Sequence, residues 1–205
     1  MKIEVSVKRK VLVVVAVISA LVLTGCSQVN TAGRVGKKEI TNKDVQTTIN
    51  QILQERRKFD TTQSNLPTGA QLNLSAFQFH FYSALFDAIA AGAKLQVTDG
   101  DIAKERAAII SQVGGEDRLP SALAKASIAF EDFPRYLRSV VIVAKIKEAL
   151  AASGDTSTDG SGLQKVIIAA GQREGVEVNP RYGKWNATSG SLEAPTENPA
   201  IAQLK

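Results

Sequence analysis

Apolar residues recur at helical spacing over most of this chain, and the densest such stretch runs from Leu74 to Leu95. Phe77, Phe81, Leu85 and Ala88 fall on one stripe of that predicted helix, and Phe79, Tyr82, Phe86 and Ile89 fall on the next. A helix that is apolar nearly all round cannot lie on a surface. It is either the hub on which amphipathic helices pack, or it leaves part of its aromatic wall as a groove for another apolar chain. Around it the spacing predicts ordinary amphipathic helices. Ile40-Thr41-Asn42-Lys43-Asp44-Val45 reads as a start signal: Thr41 caps, Asp44 completes a capping box, and Ile40 staples to Val45. Val45, Ile49, Ile52 and Leu53 then form the apolar stripe. Val97-Thr98-Asp99-Gly100-Asp101-Ile102 repeats the device, so a further helix runs from Asp99 to the Gly114-Gly115 pair. Pro120 opens a short helix over Ser121–Ala129. Asp132 is the expected cap of a long helix that starts at Phe133-Pro134, carries Leu137, Val140 and Val141, and closes at Ser153-Gly154. Leu163 to Arg173 forms the last helix, stopped by Glu174-Gly175.

Two segments alternate instead. An arm over residues 32–39 and the run Val176-Glu177-Val178 are each too short to persist alone, because isolated strands leave their backbone groups unpaired. They are therefore expected to pair and to bring the two ends of the domain together. The prediction is a mainly α fold with a small two-stranded β element joining the N- and C-terminal segments. Asn179-Pro180 marks a bend, after which Tyr182 or Trp185 is expected to plug the helical core. Asp60 to Leu72 reads as a polar loop. Residues 186–205, rich in Ser, Pro, Glu and Asn, read as a disordered tail whose removal from Leu192 onward costs no stability.

The first residues are of another kind. Lys2, Lys8, Arg9 and Lys10 precede an apolar run from Val11 to Leu23, which ends at Leu23-Thr24-Gly25-Cys26. That order of charge, apolar run and small residues predicts a signal peptide over residues 1–25, too short in its apolar part for a comfortable membrane span. Residues 26–31 then form a tether, residues 32–185 the domain, and residues 186–205 the tail. Of the 25 basic and 20 acidic residues, the first 25 positions hold four and one. The remainder is close to neutral and has no basic stripe with interleaved aromatics, so a nucleic-acid partner is not expected. The densest basic cluster, Glu55-Arg56-Arg57-Lys58, ends a helix and complements its dipole.

Candidate chemistry is sparse. With one histidine, His80, and one cysteine, Cys26, the chain contains no H-E-x-x-H, no C-x-x-C and no Cys/His pair. Gly-rich phosphate loops are missing. The carboxylate pairs Asp99/Asp101 and Glu131/Asp132 sit where capping explains them. Asp155, Ser157 and Asp159 before Gly160 resemble part of a calcium loop, but Val166 occupies the place of its closing acid. No catalytic residue, metal or cofactor is expected, and His80 reads as a satisfied or surface side chain.

The L-T-G-C string resembles a bacterial lipobox. That resemblance implies that Cys26 carries a diacylglyceryl thioether, with its palmitate-like acyl chains holding the protein on the extracytoplasmic face of the cell membrane. The order of elements, with I-T-x-x-D-V opening the first helix, A-K-L-Q-V-T-D-G-D-I closing the hub and V-A-K-I-K-E-A-L closing the long helix, resembles the N-terminal chaperone domain of SurA and of PrsA-like foldases. The closing V-E-V-N-P-R-Y-G-K-W is similar to actinobacterial lipoproteins of that group. The resemblance implies an orthogonal helical bundle of the SurA N-terminal type. Where those foldases insert a parvulin isomerase domain, this chain has only the segment around Asp155–Gly162, which cannot hold one. The expected activity is ATP-independent holding of unfolded or extended exported polypeptides, with Phe77, Phe79, Phe81, Tyr82 and Phe86 as the binding wall. An adaptor that binds one envelope protein through the same surface is the alternative.

Overall fold

The computed structural model describes residues 30–60, 64–155 and 159–195. Two strands, β1 (Thr31–Val35) and β2 (Lys38–Thr41), form a hairpin around Gly36, whose φ of +57° favours glycine. Helix α1 (Asn42–Arg56) starts where the sequence places it. Thr41 Oγ1 accepts the Asp44 N–H at 3.1 Å, and Asp44 Oδ2 accepts the Thr41 N–H at 2.8 Å. The hub, α2 (Gly69–Gly92), is longer than expected at its start. Leu72 and Ala76, one turn apart, are both buried, and their burial carries the helix back through the polar residues that read as loop.

Helix α3 (Asp99–Val113) has the second capping box, built by Thr98 and Asp101, and ends at left-handed Gly114. After a 3-10 turn (Glu116–Arg118), α4 spans Leu119–Ala126 and stops three residues earlier than predicted, where Ser127 takes φ +59°. A second 3-10 turn (Phe130–Asp132) leads directly into α5 (Phe133–Ala152). Asp132 does not cap α5 through its side chain, because that carboxylate is bonded elsewhere, as described below. Helix α6 (Ser161–Glu174) follows after residues 153–160.

Strand β3 (Val176–Val178) pairs antiparallel with β1, with Val35 opposite Val176 and Gly33 opposite Val178. The two ends of the domain thus meet as expected, in a sheet of three strands rather than two, in the order β2-β1-β3. Gly33 is needed there: a Cβ at that position would stand 2.8 Å from the Phe77 ring and 2.9 Å from the Glu177 carbonyl oxygen.

The chain then turns at Asn179-Pro180, with the Tyr182 N–H donating to the Asn179 carbonyl at 2.8 Å, and crosses the helices. Both proposed plugs are used. Tyr182 stacks on Phe77 at 5.0 Å between ring centroids, while Trp185 lies 5.3 Å from Phe81 and against Gly171 of α6. Disorder from residue 186 is not what the structure shows over its first part. Strands β4 (Lys184–Asn186) and β5 (Ser191–Glu193) form an antiparallel hairpin, and Leu192 is buried. One apolar side chain with a core site to fill, and a turn in which Asn186 Oδ1 accepts the Thr188 and Ser189 N–H groups, outweigh the polar composition. Truncation from Leu192 is therefore not neutral.

The principal core lies between α2, α1, α6 and the sheet, centred on Phe77, Phe81, Leu85, Ile52 and Val45. A smaller cluster of Leu119, Leu123, Phe133 and Leu137 joins α4 to α5, with Ile109 and Ile110 of α3 packed on it. Among the described residues no helix is long and apolar enough to cross a membrane. Cys26 and the apolar run before it lie outside the described residues, as do positions 156–158 of the calcium-like loop.

Candidate peptide-binding groove

The aromatic wall of α2 is divided between two roles. Phe77 and Phe81 are wholly buried, covered by Tyr182 and Trp185, and so belong to the core rather than to an accessible surface. The other stripe faces a groove. Ser75, Gln78, Phe79, Tyr82 and Phe86 share one face of α2 through i, i+3 and i, i+4 spacings, and Tyr136, Ser139, Val140 and Val143 share one face of α5 in the same way. Pro67, at the end of the loop before α2, and Ala126, Ser127 and Ile128, at and just after the end of α4, close one end. The groove, open along one side, has a volume of about 670 Å3. Tyr82 and Phe86 stack at 6.2 Å and form the apolar floor near α2. None of the described residues lining the groove carries a charge, while hydroxyl and amide groups of Ser75, Gln78, Ser127 and Ser139 dot its walls.

Two polar arrangements, built around the buried side chains Arg56, Thr48 and His80, hold these walls in place. Arg56, at the end of α1, is buried and donates to the Pro67 carbonyl at 2.7 Å and to Ser127 Oγ at 2.6 Å. Both partners line the groove, so one guanidinium fixes its end. Sequence reasoning gave this arginine only to the helix dipole.

The second arrangement stands behind the groove. Arg135 Nη1 lies 2.8 Å from His80 Nδ1, His80 Nε2 lies 2.9 Å from Thr48 Oγ1, and Thr48 Oγ1 donates to Asp132 Oδ2 at 2.6 Å. The proton positions follow from donor capacity. A guanidinium has only donors, so Nδ1 must accept; Thr48 has one proton, already given to Asp132, so Nε2–H must donate. His80 is thereby held neutral in one tautomer. Burial lowers its pKa from the ordinary value, the Arg135 charge adds to that effect, and Asp132 and Asp44 oppose it. Arg135 also lies 6.0 Å from the Phe79 ring centroid, linking the chain of bonds to the groove wall. The members of this relay satisfy one another's hydrogen bonds, so it holds α1, α2 and the start of α5 in a fixed relation.

On the other side of His80 lies a second cavity of about 490 Å3, reaching Lys37, Lys38, Asp44, Asp87 and Glu174. It is lined by charges of both signs and contains no group of three potential metal ligands among the described residues.

The family model for the SurA-like N-terminal domain matches residues 4–147. This chain belongs to that family. The match takes in the N-terminal run, β1, β2 and α1 to α4, and ends within α5, so α6, β3 and the β4–β5 hairpin lie beyond it. The SurA-like N-terminal domain is a chaperone-type fold and the non-catalytic part of such proteins. Both walls of the groove reside in the matched segment. No curated protein and no solved structure matches the chain.

Proposed function

We propose that the protein is a membrane-anchored extracytoplasmic chaperone that holds exported polypeptides in a non-native state, without nucleotide and without prolyl isomerisation. The observation that carries this reading is the uncharged groove between α2 and α5. Its rings and aliphatic groups offer adaptable apolar contact to many sequences, and its scattered hydroxyls can meet a client's backbone groups. A concave, uncharged site lined by aromatic and aliphatic side chains with a few polar groups is the usual form of a binding cleft. Of the proposed contact residues, Phe79, Tyr82 and Phe86 bind directly, joined by Tyr136, Val140 and Val143; Phe77 and Phe81 support them from the core. The eight residues between α5 and α6 leave no room for an isomerase domain at that point, which supports the second half of the reading.

The anchor rests on the Leu23-Thr24-Gly25-Cys26 string. Two acyl chains, at about 0.8 kcal/mol per buried methylene, give durable attachment. Cys26→Ala is expected to yield an unprocessed precursor or a poorly retained product. Detergent partitioning unchanged from wild type after signal cleavage would show that the attachment has another origin.

The holding activity is tested by aggregation of an unfolded client without nucleotide, alongside a refolding reaction limited by proline isomerisation. Aggregation is expected to be suppressed and the refolding rate to stay unchanged. Equal affinity for folded and unfolded clients, or co-purification with one partner at fixed stoichiometry, would replace the holdase by a dedicated adaptor.

A further inference from the structure

The groove has a shape as well as a polarity. Along α2 it extends from Ser75 to Phe86, about 16 Å at 1.5 Å per residue, and it is open along one side. An extended segment, at about 3.3 Å per residue, spans that length with about five residues. Because no charged side chain lines the walls, the segment that suits it best is itself uncharged, since burying an unpaired charge against them is disfavoured.

The chain carries one such segment close at hand. The Leu192 N–H donates to Tyr82 Oη at 3.2 Å, so the end of the β4–β5 hairpin is tied to a residue that lines the groove. Ten residues follow Pro195, and within them Ala200-Ile201-Ala202-Gln203-Leu204 is an uncharged run of five, preceded by Pro199 and followed by Lys205. From Pro195 to Ala200 the chain can reach about 16 Å, the length of the groove itself.

We propose that residues 200–204 occupy the α2–α5 groove of the same molecule as an internal pseudo-client, which an exported polypeptide must displace. The proposal rests on the reading of the groove as a polypeptide-binding site, and adds its regulation. Ile201 and Leu204 supply the apolar contacts. Because the tail is tethered, its local concentration is in the millimolar range for a linker this short. Only a client that binds well, or that is held close by the membrane, competes.

The test uses the full chain in lipid nanodiscs, the same chain ending at Pro195, and a fluorescent synthetic peptide copying residues 196–205. The shortened chain is expected to bind the peptide at least about tenfold more tightly than the full chain, in line with millimolar tethering. Ile201→Asp in the peptide, or Val140→Asp in the groove, is expected to abolish binding. Ile201→Asp within the full chain is expected to open the groove to the wild-type peptide as truncation does. Equal affinity of the full and shortened chains, or unimpaired binding of the Ile201→Asp peptide, overturns the proposal. A photocrosslinker at Val140 that reaches residues 199–204 only in a concentration-dependent, intermolecular product also overturns it, in favour of a second copy. If the peptide binds as expected while an unfolded client does not, the holding function fails and the internal occupant stands.

Discussion

The division of the α2 aromatics can be tested by comparing Phe77→Ala with Phe86→Ala. Phe77 has no exposed surface, stacks on Tyr182 at 5.0 Å, lies 5.8 Å from Phe81, and touches the backbone at Gly33. Truncating a buried phenylalanine costs about 3–5 kcal/mol in lost transfer energy and residual cavity. The ring pairs raise the expectation toward the upper end of that range, since each is worth about 0.5–1.5 kcal/mol. Strands β1 and β3, which pack over the ring at Gly33, hold the cavity open and limit relaxation. A domain of this size has about 5–15 kcal/mol in all, and each kcal/mol moves its melting temperature by about 2–4 °C. Phe77→Ala is therefore expected to melt roughly 8–20 °C lower. Phe86 is only partly buried and has Tyr82 as its main ring partner, so Phe86→Ala is expected to cost about 1 kcal/mol or less. Holding activity is expected to change in the opposite sense. Measured at a temperature where both variants are folded, Phe86→Ala loses client affinity and Phe77→Ala retains it. Thermal unfolding by circular dichroism and client binding by fluorescence anisotropy give the two readouts. Equal melting temperatures, or loss of holding by Phe77→Ala alone, would refute the assignment of core and groove.

Three further outcomes are expected. The lowered pKa of His80 means that the unfolded chain binds a proton the folded one resists, so stability is full above about pH 6.5 and falls as the pH drops below it. Melting temperatures at pH 7.5 and 5 are expected to differ in wild type and to converge in His80→Gln. Asp101, held at about 2 by the Thr98 backbone and hydroxyl bonds and by Lys145, contributes its own loss only below about pH 3.8 and does not confuse the comparison. Gly33→Ala is expected to cost about 1–3 kcal/mol, because the methyl must displace the Glu177 carbonyl as well as the Phe77 ring; an unchanged denaturation midpoint would show that β1 and β3 yield more easily. Ending the chain at Asn186 removes the buried Leu192 side chain and its bond to Tyr82, and is expected to cost about 2–3 kcal/mol more than ending it at Pro195, which costs only the tail's own binding, about 1.4 kcal/mol for a tenfold competition; hydrogen exchange along α2 distinguishes the two.

Much of this architecture was legible because its signals are local. Both capping boxes lie within four consecutive residues, and the hub declares itself by two adjacent aromatic stripes. The β1–β3 pairing could be inferred because two fragments too short to stand alone needed each other. What stayed hidden depends on partners far away in the chain. Thr48 reaches His80 across 32 positions and Asp132 across 84, and Arg135 reaches His80 across 55. A threonine on a helix, an acid at a helix start and an arginine on a polar face each had an adequate local explanation. The groove was half legible: the sequence marked Phe79, Tyr82 and Phe86, but nothing in the spacing of Tyr136, Val140 and Val143 said that α5 would face them across open space. The β4–β5 hairpin was masked by its composition, because a single leucine decides it.

The closing of the sheet also sets an order of events. Val35 and Val176 lie about 140 positions apart, yet they are neighbours in the finished sheet. Helices α1 to α5 can form and begin to pack before the rest of the chain is available, since their contacts are nearer in sequence. Strand β1 has no partner on its β3 side until residue 178 has emerged, and the ring of Phe77 has no Tyr182 to cover it. Long-range pairings of this kind come late, since the entropy of closing the intervening loop must first be overcome. Until its last strand arrives the protein therefore exposes the same class of aromatic surface that it is proposed to shield in others, and only then becomes self-sufficient.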